Sequence, residues 1–420
     1  MSGALLPLTM KGRFWLSRSA LLVLSACWLR ILGNGHNRVR WRRKHTTQFL
    51  PFCALPTIRT SMQFETLPHP SPTPDDVREA AIADPGFGKV FTDHMVTIDY
   101  DEAKGGWHSA RIGPREPIAL DPAASVLHYA QEIFEGMKAF AHADGGMAMF
   151  RPEANARRFN DSARRMAMPE IPEELFLQAV ELAIKTDAKW MPPADGGSLY
   201  IRPFMFASEA FLGVRPAKQY KFVVILVSSG NYFKGGVNPV KIWVSQDYVR
   251  AAPGGTGAAK TGGNYAASLV PQAEAIERGC DQVVFLDATE KKWIEELGGM
   301  NLFFIRRDGS VITPPLTGTI LPGITRDSLI AMLREEGLEV REELYSIDQW
   351  RAEAESGELL ETLACGTAAV VTPVGTVASP EGEFTIGTGG IGQMADKMRT
   401  KLVGVQNGSV ADKHGWVTRV

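Results

Sequence analysis

The sequence predicts a protein of mixed α/β and α+β class, with two domains meeting near residue 235. Strand-like apolar runs and helical repeats are interleaved along the chain from residue 62 onward. A single turn-rich patch, SSGNYFKGGVNP at 228–239, interrupts that pattern. The 420 residues suffice for two cores rather than one. Hydrophobic residues at 45% and charged residues at 22% fit an ordinary globular enzyme. A formal charge of -2 gives no electrostatic reason to expect nucleic acid or a membrane surface as partner.

Residues 1–61 form a basic extension that differs in kind from the rest. No acid occurs before Glu65, whereas basic residues recur from Lys11 to Arg59. The apolar stretch 20–27 lies between Arg18 and Arg30. It is too short for a bilayer, which takes about 20 residues. A signal peptide, an organelle transit peptide and a translation start at Met62 all stay open. The expected location is the cytoplasm, or a mitochondrion or plastid if the extension is a transit peptide. Cys27, Cys53, Cys280 and Cys365 are scattered and form no C-x-x-C pair, which supports neither a disulfide framework nor a zinc ribbon. A reducing compartment follows, and no metal is expected.

The first domain is expected over 62–233. Strands are predicted at 95–100, 146–151, 199–206 and 222–227. Pro152 opens a helix at a first-turn position, and Ala156, Phe159, Ala163 and Met166 recur at helical spacing. Residues 173–189 read as another helix. The linker is expected at 234–240 and the larger domain at 241–420. That domain should hold strands at 241–245, 282–286 and 302–305, and helices at 326–336, 347–355 and 393–406.

Three glycine-rich loops compete for chemistry. GGTGAAKTGGNY at 254–265 nearly fits a phosphate loop, with Lys260 and Thr261 in register. Ala259 replaces the glycine before the lysine, and Gly262 and Gly263 fall where a helix should begin. GTGGIG at 387–392 formally matches a dinucleotide fingerprint, but the chain ends before a further βαβ unit could form. LPGITRDSL at 321–329 runs into an amphipathic helix, which is either a phosphate seat or an ordinary capped start. A lysine between glycines can also approach a planar ring closely and form a Schiff base with pyridoxal phosphate. That reading needs a phosphate seat and an acid for the ring nitrogen. Gly323 to Thr325 is a candidate seat. Glu295 and Glu296, if extended, point to opposite faces, so one should face inward.

Several segments together resemble the branched-chain amino-acid aminotransferases. They are HYAQEIFEGMKAF at 128–140, LYIRP at 199–203, the loop 254–265, ELGGMN at 296–301, LPGIT at 321–325 and GTA at 366–368. The resemblance runs from about Phe87 to the C-terminus, in the family's order. It implies fold type IV of the pyridoxal-phosphate enzymes (D-amino-acid aminotransferase-like), with the cofactor at the domain interface. It also implies a homodimer and reversible ping-pong transfer between L-leucine, L-isoleucine or L-valine and 2-oxoglutarate.

By the same resemblance, Lys260 carries pyridoxal 5'-phosphate and moves the Cα proton. Glu296 meets the pyridine nitrogen, and Tyr265 meets the ring hydroxyl. Arg158, the amides of Ile324 and Thr325 and the hydroxyl of Thr367 bind the phosphate. The N–H groups of Thr367 and Ala368, aided by Tyr129, receive the substrate carboxylate. Phe87, Phe134, Tyr200 and Tyr232 line the side-chain pocket, and Arg202 meets the γ-carboxylate of glutamate. Mammalian members carry a C-x-x-C pair where this chain has Ala369 and Thr372, so thiol regulation of that kind should be absent. Gly299 stands where those enzymes have threonine, which removes one polar contact.

Overall fold

The computed structural model describes residues 62–142, 144–192, 197–230 and 237–420. The extension 1–61, Tyr232 and residues 234–236 of the expected linker lie outside these. The described residues belong to one compact unit built on two nine-stranded sheets.

The first sheet runs Glu65–Thr66, Gly106–Pro114, Val90–Asp101, Gln219–Ser229, Ser198–Ala207, Met137–Ala141, Met147–Phe150 and Val417–Arg419. Glu132–Phe134 also pairs with Ser198–Ala207. Its pairings are antiparallel except for the short first strand. Two helices, Pro152–Arg165 and Glu173–Thr186, pack on this sheet. Phe176, Ala179, Val180 and Ala183 are buried at helical spacing, which gives the second helix a single apolar face. Phe159, Phe176 and Phe222 meet with ring centroids 5.3, 5.5 and 5.7 Å apart, within the range of favourable aromatic pairing.

The second sheet runs Ile294–Leu297, Gln282–Leu286, Val240–Ser245, Val370–Ser379, Leu359–Gly366, Asn301–Arg306, Ser310–Thr313 and Glu339–Glu342, with Gly382–Thr385 pairing Val370–Ser379. It is mixed, because Val240–Ser245 lies parallel to both its neighbours. The helix Ile347–Ser356 begins where Ser346 accepts the Gln349 N–H, and Gly357 ends it at φ +78°. Its Trp350 is fully buried edge-on to Phe304, and the indole N–H donates to Thr362 Oγ1 at 3.1 Å.

A further apolar cluster joins the sheets. Phe140 and Phe150 of the first pack with Leu329 and Leu333 of the helix Ile324–Glu335 and with Met398 and Leu402 of the helix Gln393–Asn407. The chain then returns, and Val417–Arg419 extends the first sheet beside Met147–Phe150. Among the described residues, no helix is long and apolar enough to cross a membrane, and Cys280 and Cys365 are free and buried.

Candidate active site

A cleft of about 490 Å³ opens between the two sheets, a size ordinary for a small-molecule site. The first sheet and its helix supply Phe134, Arg158, Tyr200 and Arg202 to the walls, and the second supplies Glu296 and Asn301. The glycine-rich loop places Lys260 within it. Phe87, Tyr265, Ile324, Thr325, Thr367 and Ala368 also line it. Residues spread along the chain from Phe87 to Ala368 thus converge on one cavity.

Lys260 follows Gly257, whose place in the loop is sterically fixed. A Cβ there would collide with the Thr319 backbone, so only glycine lets the loop pass. Lys260 N–H donates to Ser162 Oγ at 2.9 Å, and its carbonyl accepts the Phe134 N–H at 3.0 Å. The backbone of the lysine is therefore tied to the first sheet and its helix. Its Nζ lies 2.8 Å from the Tyr265 hydroxyl and 4.9 Å from the Phe134 ring centroid. The helix after it, Gly262–Ala266, is only five residues long. Its first amide, Gly262 N–H, already donates to the Glu132 carboxylate. A nucleotide phosphate would meet that carboxylate, which argues against a phosphate loop.

The other two glycine loops separate just as clearly. Glu361 accepts the N–H groups of Met394 and Ala395 at 2.9 and 2.8 Å, so the helix start after 387–392 is filled from a neighbouring strand. The helix Ile324–Glu335 has Gly323 as its N-cap and no side-chain cap. Its first residues line the cleft, leaving a cradle of uncapped amides suited to an anion. A Cβ at Gly323 would meet the Asn301 side-chain amide, which already donates to the Leu321 carbonyl, so glycine leaves that amide in place.

Arg158 lies near this cradle, and its Nη1 donates to the Pro322 carbonyl at 3.1 Å. Glu135, fully buried, accepts from Arg158 Nε and Nη2 at 2.8 Å each. Burial pushes the Glu135 carboxyl up, but Arg158 outweighs it and holds the group below its ordinary range. Asn155 Nδ2 also donates to Glu135, at 2.7 Å. Arg158 is thereby fixed with one edge of its guanidinium committed to Glu135.

Glu295 and Glu296 lie on the strand Ile294–Leu297 as expected, but both are buried rather than one. Glu296 faces the cleft, and Glu295 lines a separate cavity with Trp293 and Thr319. Arg250 Nη1 is 2.9 Å from Glu296 Oε1, and the Leu321 N–H donates to the same oxygen at 2.7 Å. Burial pushes the Glu296 carboxyl up to about 7, against the pull of Arg250. A cation brought beside it would replace the hydration it has lost.

Tyr200 and Arg202 share one wall, with Arg202 Nη2 donating to the Tyr200 hydroxyl at 2.9 Å. Arg202 also lies over the Phe134 ring, and Phe87 meets Tyr200 edge-on at 5.2 Å. Tyr129 departs from expectation. It ends the short helix Ser125–Tyr129, is 39% exposed, and donates its hydroxyl to the Leu212 carbonyl rather than lining this cleft. Glu132, Glu135 and Arg250 are functional neighbours to which the sequence alone assigned no role. An acid inside the apolar run IFEGMKAF could have pointed to Glu135, because a buried carboxylate needs a partner. Nothing local to Arg250 announces its role.

A family model described as amino-transferase class IV matches residues 132–377. The branched-chain-amino-acid aminotransferase of Mycolicibacterium smegmatis is 53% identical over 363 residues, covering 86% of this chain and 98% of that one. The solved branched-chain amino acid aminotransferase of Escherichia coli is similar with a TM-score of 0.63 at 30% identity, covering 78% of this chain and 98% of that one. The branched-chain amino acid aminotransferase of Thermobaculum terrenum, solved in its PLP-form (holo-form), gives 0.63 at 25% identity over 78% of this chain and 98% of that one.

Proposed function

This chain belongs to the class IV aminotransferases, and we propose that it exchanges amino groups between L-leucine, L-isoleucine or L-valine and 2-oxoglutarate, using pyridoxal 5'-phosphate attached to Lys260. The observation that carries this reading is the convergence of Lys260, Tyr265, Glu296 and Arg158 on one cleft beside an uncapped helix start. The residues present fit the cofactor. An amine, a carboxyl able to meet a ring nitrogen and an uncapped helix start surround a single cavity. The PLP-form of the Thermobaculum terrenum neighbour gives independent support.

When bound, pyridoxal phosphate supplies a carbonyl carbon that combines with amines and a pyridinium ring that withdraws electrons from Cα. Lys260 Nζ would anchor it and, when free, would carry the proton taken from Cα. The Tyr265 hydroxyl, 2.8 Å away, orients that nitrogen and donates to the ring oxygen. Glu296 would meet the ring nitrogen and favour its protonated form, with Arg250 fixing the carboxyl in place from 2.9 Å. Arg158, the Ile324 and Thr325 amides and the Thr367 hydroxyl hold the phosphate. Thr367 and Ala368 receive the α-carboxylate. Phe87, Phe134 and Tyr200 enclose an aliphatic side chain, with Tyr232 as a further wall, while Arg202 accepts a γ-carboxylate. Apolar walls with one arginine allow both substrate types to use the same space.

Borohydride reduction of the cofactor-loaded protein, followed by peptide mass analysis, tests the anchor. Label on the peptide carrying Lys260, lost in Lys260→Ala, is expected. Label on another lysine, or none at all, would sink the assignment. Parallel assays with L-leucine, D-alanine and aminodeoxychorismate test the substrate class, and activity is expected with L-leucine. We also propose a cytoplasmic homodimer. The mass of the native N-terminus tests the location, and a cleaved transit segment would contradict it.

A further inference from the structure

Val370 adopts a left-handed conformation at φ +64°, which a β-branched side chain rarely takes. It follows the turn 367–369 joining Leu359–Gly366 to Val370–Ser379, with Gly366 paired to Val370. Three-residue hairpin loops commonly need a left-handed residue at this end, and glycine is the residue that takes it without strain. Here a valine does so, and the conformation needs an external hold.

Arg399 provides that hold. Its Nη1 donates to the Ala369 carbonyl at 2.9 Å and the Val371 carbonyl at 3.2 Å, one on each side of Val370. It reaches them from the helix Gln393–Asn407, which packs on Val370–Ser379. Lys138, from the first sheet, donates Nζ to the Ala368 carbonyl at 3.0 Å. Neither cation is in an ion pair among the described residues. Burial and the charge of Arg399 push the Lys138 ammonium down to about 8, and burial lowers Arg399 from its ordinary value. Two cations thus share one turn, and the residues at its tip, Thr367 and Ala368, line the cleft. Asp396 acts on Arg399 from its own helix without pairing with it, and an anion seated at the tip would add the negative charge that Lys138 lacks.

We propose that Arg399 is a positioning residue for the substrate's α-carboxylate, clamping the carbonyls that flank Val370 so that the Thr367–Ala368 tip keeps its carboxylate-receiving shape. This rests on the function proposed above and deepens it. Arg399 touches no substrate. It acts through the turn, and its charge favours a carboxylate over a neutral group at the tip.

Calorimetric binding to the cofactor-loaded protein tests the idea with two ligands, 4-methylpentanoic acid and 4-methylpentan-1-ol. They share an aliphatic chain and differ in the carboxylate. In Arg399→Met the acid should bind about tenfold more weakly, the scale of one lost charge-assisted interaction. The alcohol should bind as in wild type. Arg399→Lys keeps a charged donor and should recover most of the acid affinity. Arg399→Gln replaces the methionine variant if that one does not fold. Unchanged acid affinity, or equal weakening of acid and alcohol, overturns the proposal. A wild type that binds no acid at all overturns the functional reading together with it, which separates the two failures.

Discussion

Glu296 is a carboxyl group with almost no water around it, and its ion-pair partner is Arg250, itself buried. Burial raises its pKa to about 7, so at intermediate pH the folded protein without cofactor keeps a proton that the unfolded chain releases. The sign follows from proton uptake. Between the unfolded value of about 4.3 and the folded value of about 7 the native state binds more protons, so unfolding free energy falls as pH rises through that window and levels off above it. Glu296→Gln removes the titrating group. Urea unfolding of the cofactor-free wild type, compared with this variant from about pH 5 to about pH 8, should show a relative loss on the order of 2–3 kcal/mol for wild type. A pH-independent difference would refute the raised pKa. Bound cofactor should flatten the wild-type slope, because a protonated ring nitrogen supplies a further cation. At this scale the sequence was informative where residues carried a motif and silent where they did not. Lys260 and Glu296 stand in recognisable segments, whereas Arg250 comes from a stretch whose only distinction is its position in three dimensions.

The elements that position these residues were legible in proportion to their periodicity. The helices Pro152–Arg165, Glu173–Thr186 and Gln393–Asn407 each bury apolar residues at helical spacing and fall within a few residues of expectation. The strands Leu359–Gly366 and Val370–Ser379 lie at the centre of the second sheet, buried on both faces over 362–365 and 370–375, and show no alternation that marks a strand there. Gly106–Pro114 begins with polar residues that read as a loop, and its pairing with Val90–Asp101 and Glu65–Thr66 makes it a strand. Loops are harder still, because their shape depends on what crosses them. The lysine loop passes the Thr319 backbone at Gly257, which the spacing of glycines alone does not reveal. Gly257→Ala should therefore displace the loop and cost about 1–3 kcal/mol, as overpacking against backbone does. Gly299→Ala is the control: its Cβ would meet Tyr265 Cε1 at an ordinary 3.6 Å. Thermal unfolding of both variants decides the matter. Equal stability of the two would mean that the crossing imposes no constraint.

At the scale of the whole molecule, the misplaced Tyr129 and an apolar surface raise the same question. Leu127 is 59% exposed, Leu212 60% and Val214 87%, and all three lie where the helix Ser125–Tyr129 meets residues 209–214. Backbone bonds join the two segments: Phe211 N–H to the Ala123 carbonyl and Ser125 N–H to the Glu209 carbonyl, each at 3.0 Å. These bonds tie the two segments together at that surface. A contiguous apolar patch on a monomer invites association. In a two-fold dimer one patch meets its own copy, so residues at its edge face the neighbouring subunit. Such packing would carry Tyr129 to the other subunit's cleft, reconciling its exposed position with the carboxylate role implied by the resemblance. Light scattering at micromolar concentration should give twice the mass of one chain. The double variant Leu212→Asp, Val214→Asp should give a smaller mass and weaker leucine binding, while the absorbance of the attached cofactor persists. A wild type with the mass of one chain would end this account. A charged double variant that stays dimeric would instead move the interface elsewhere and leave Tyr129 a surface residue of its own subunit.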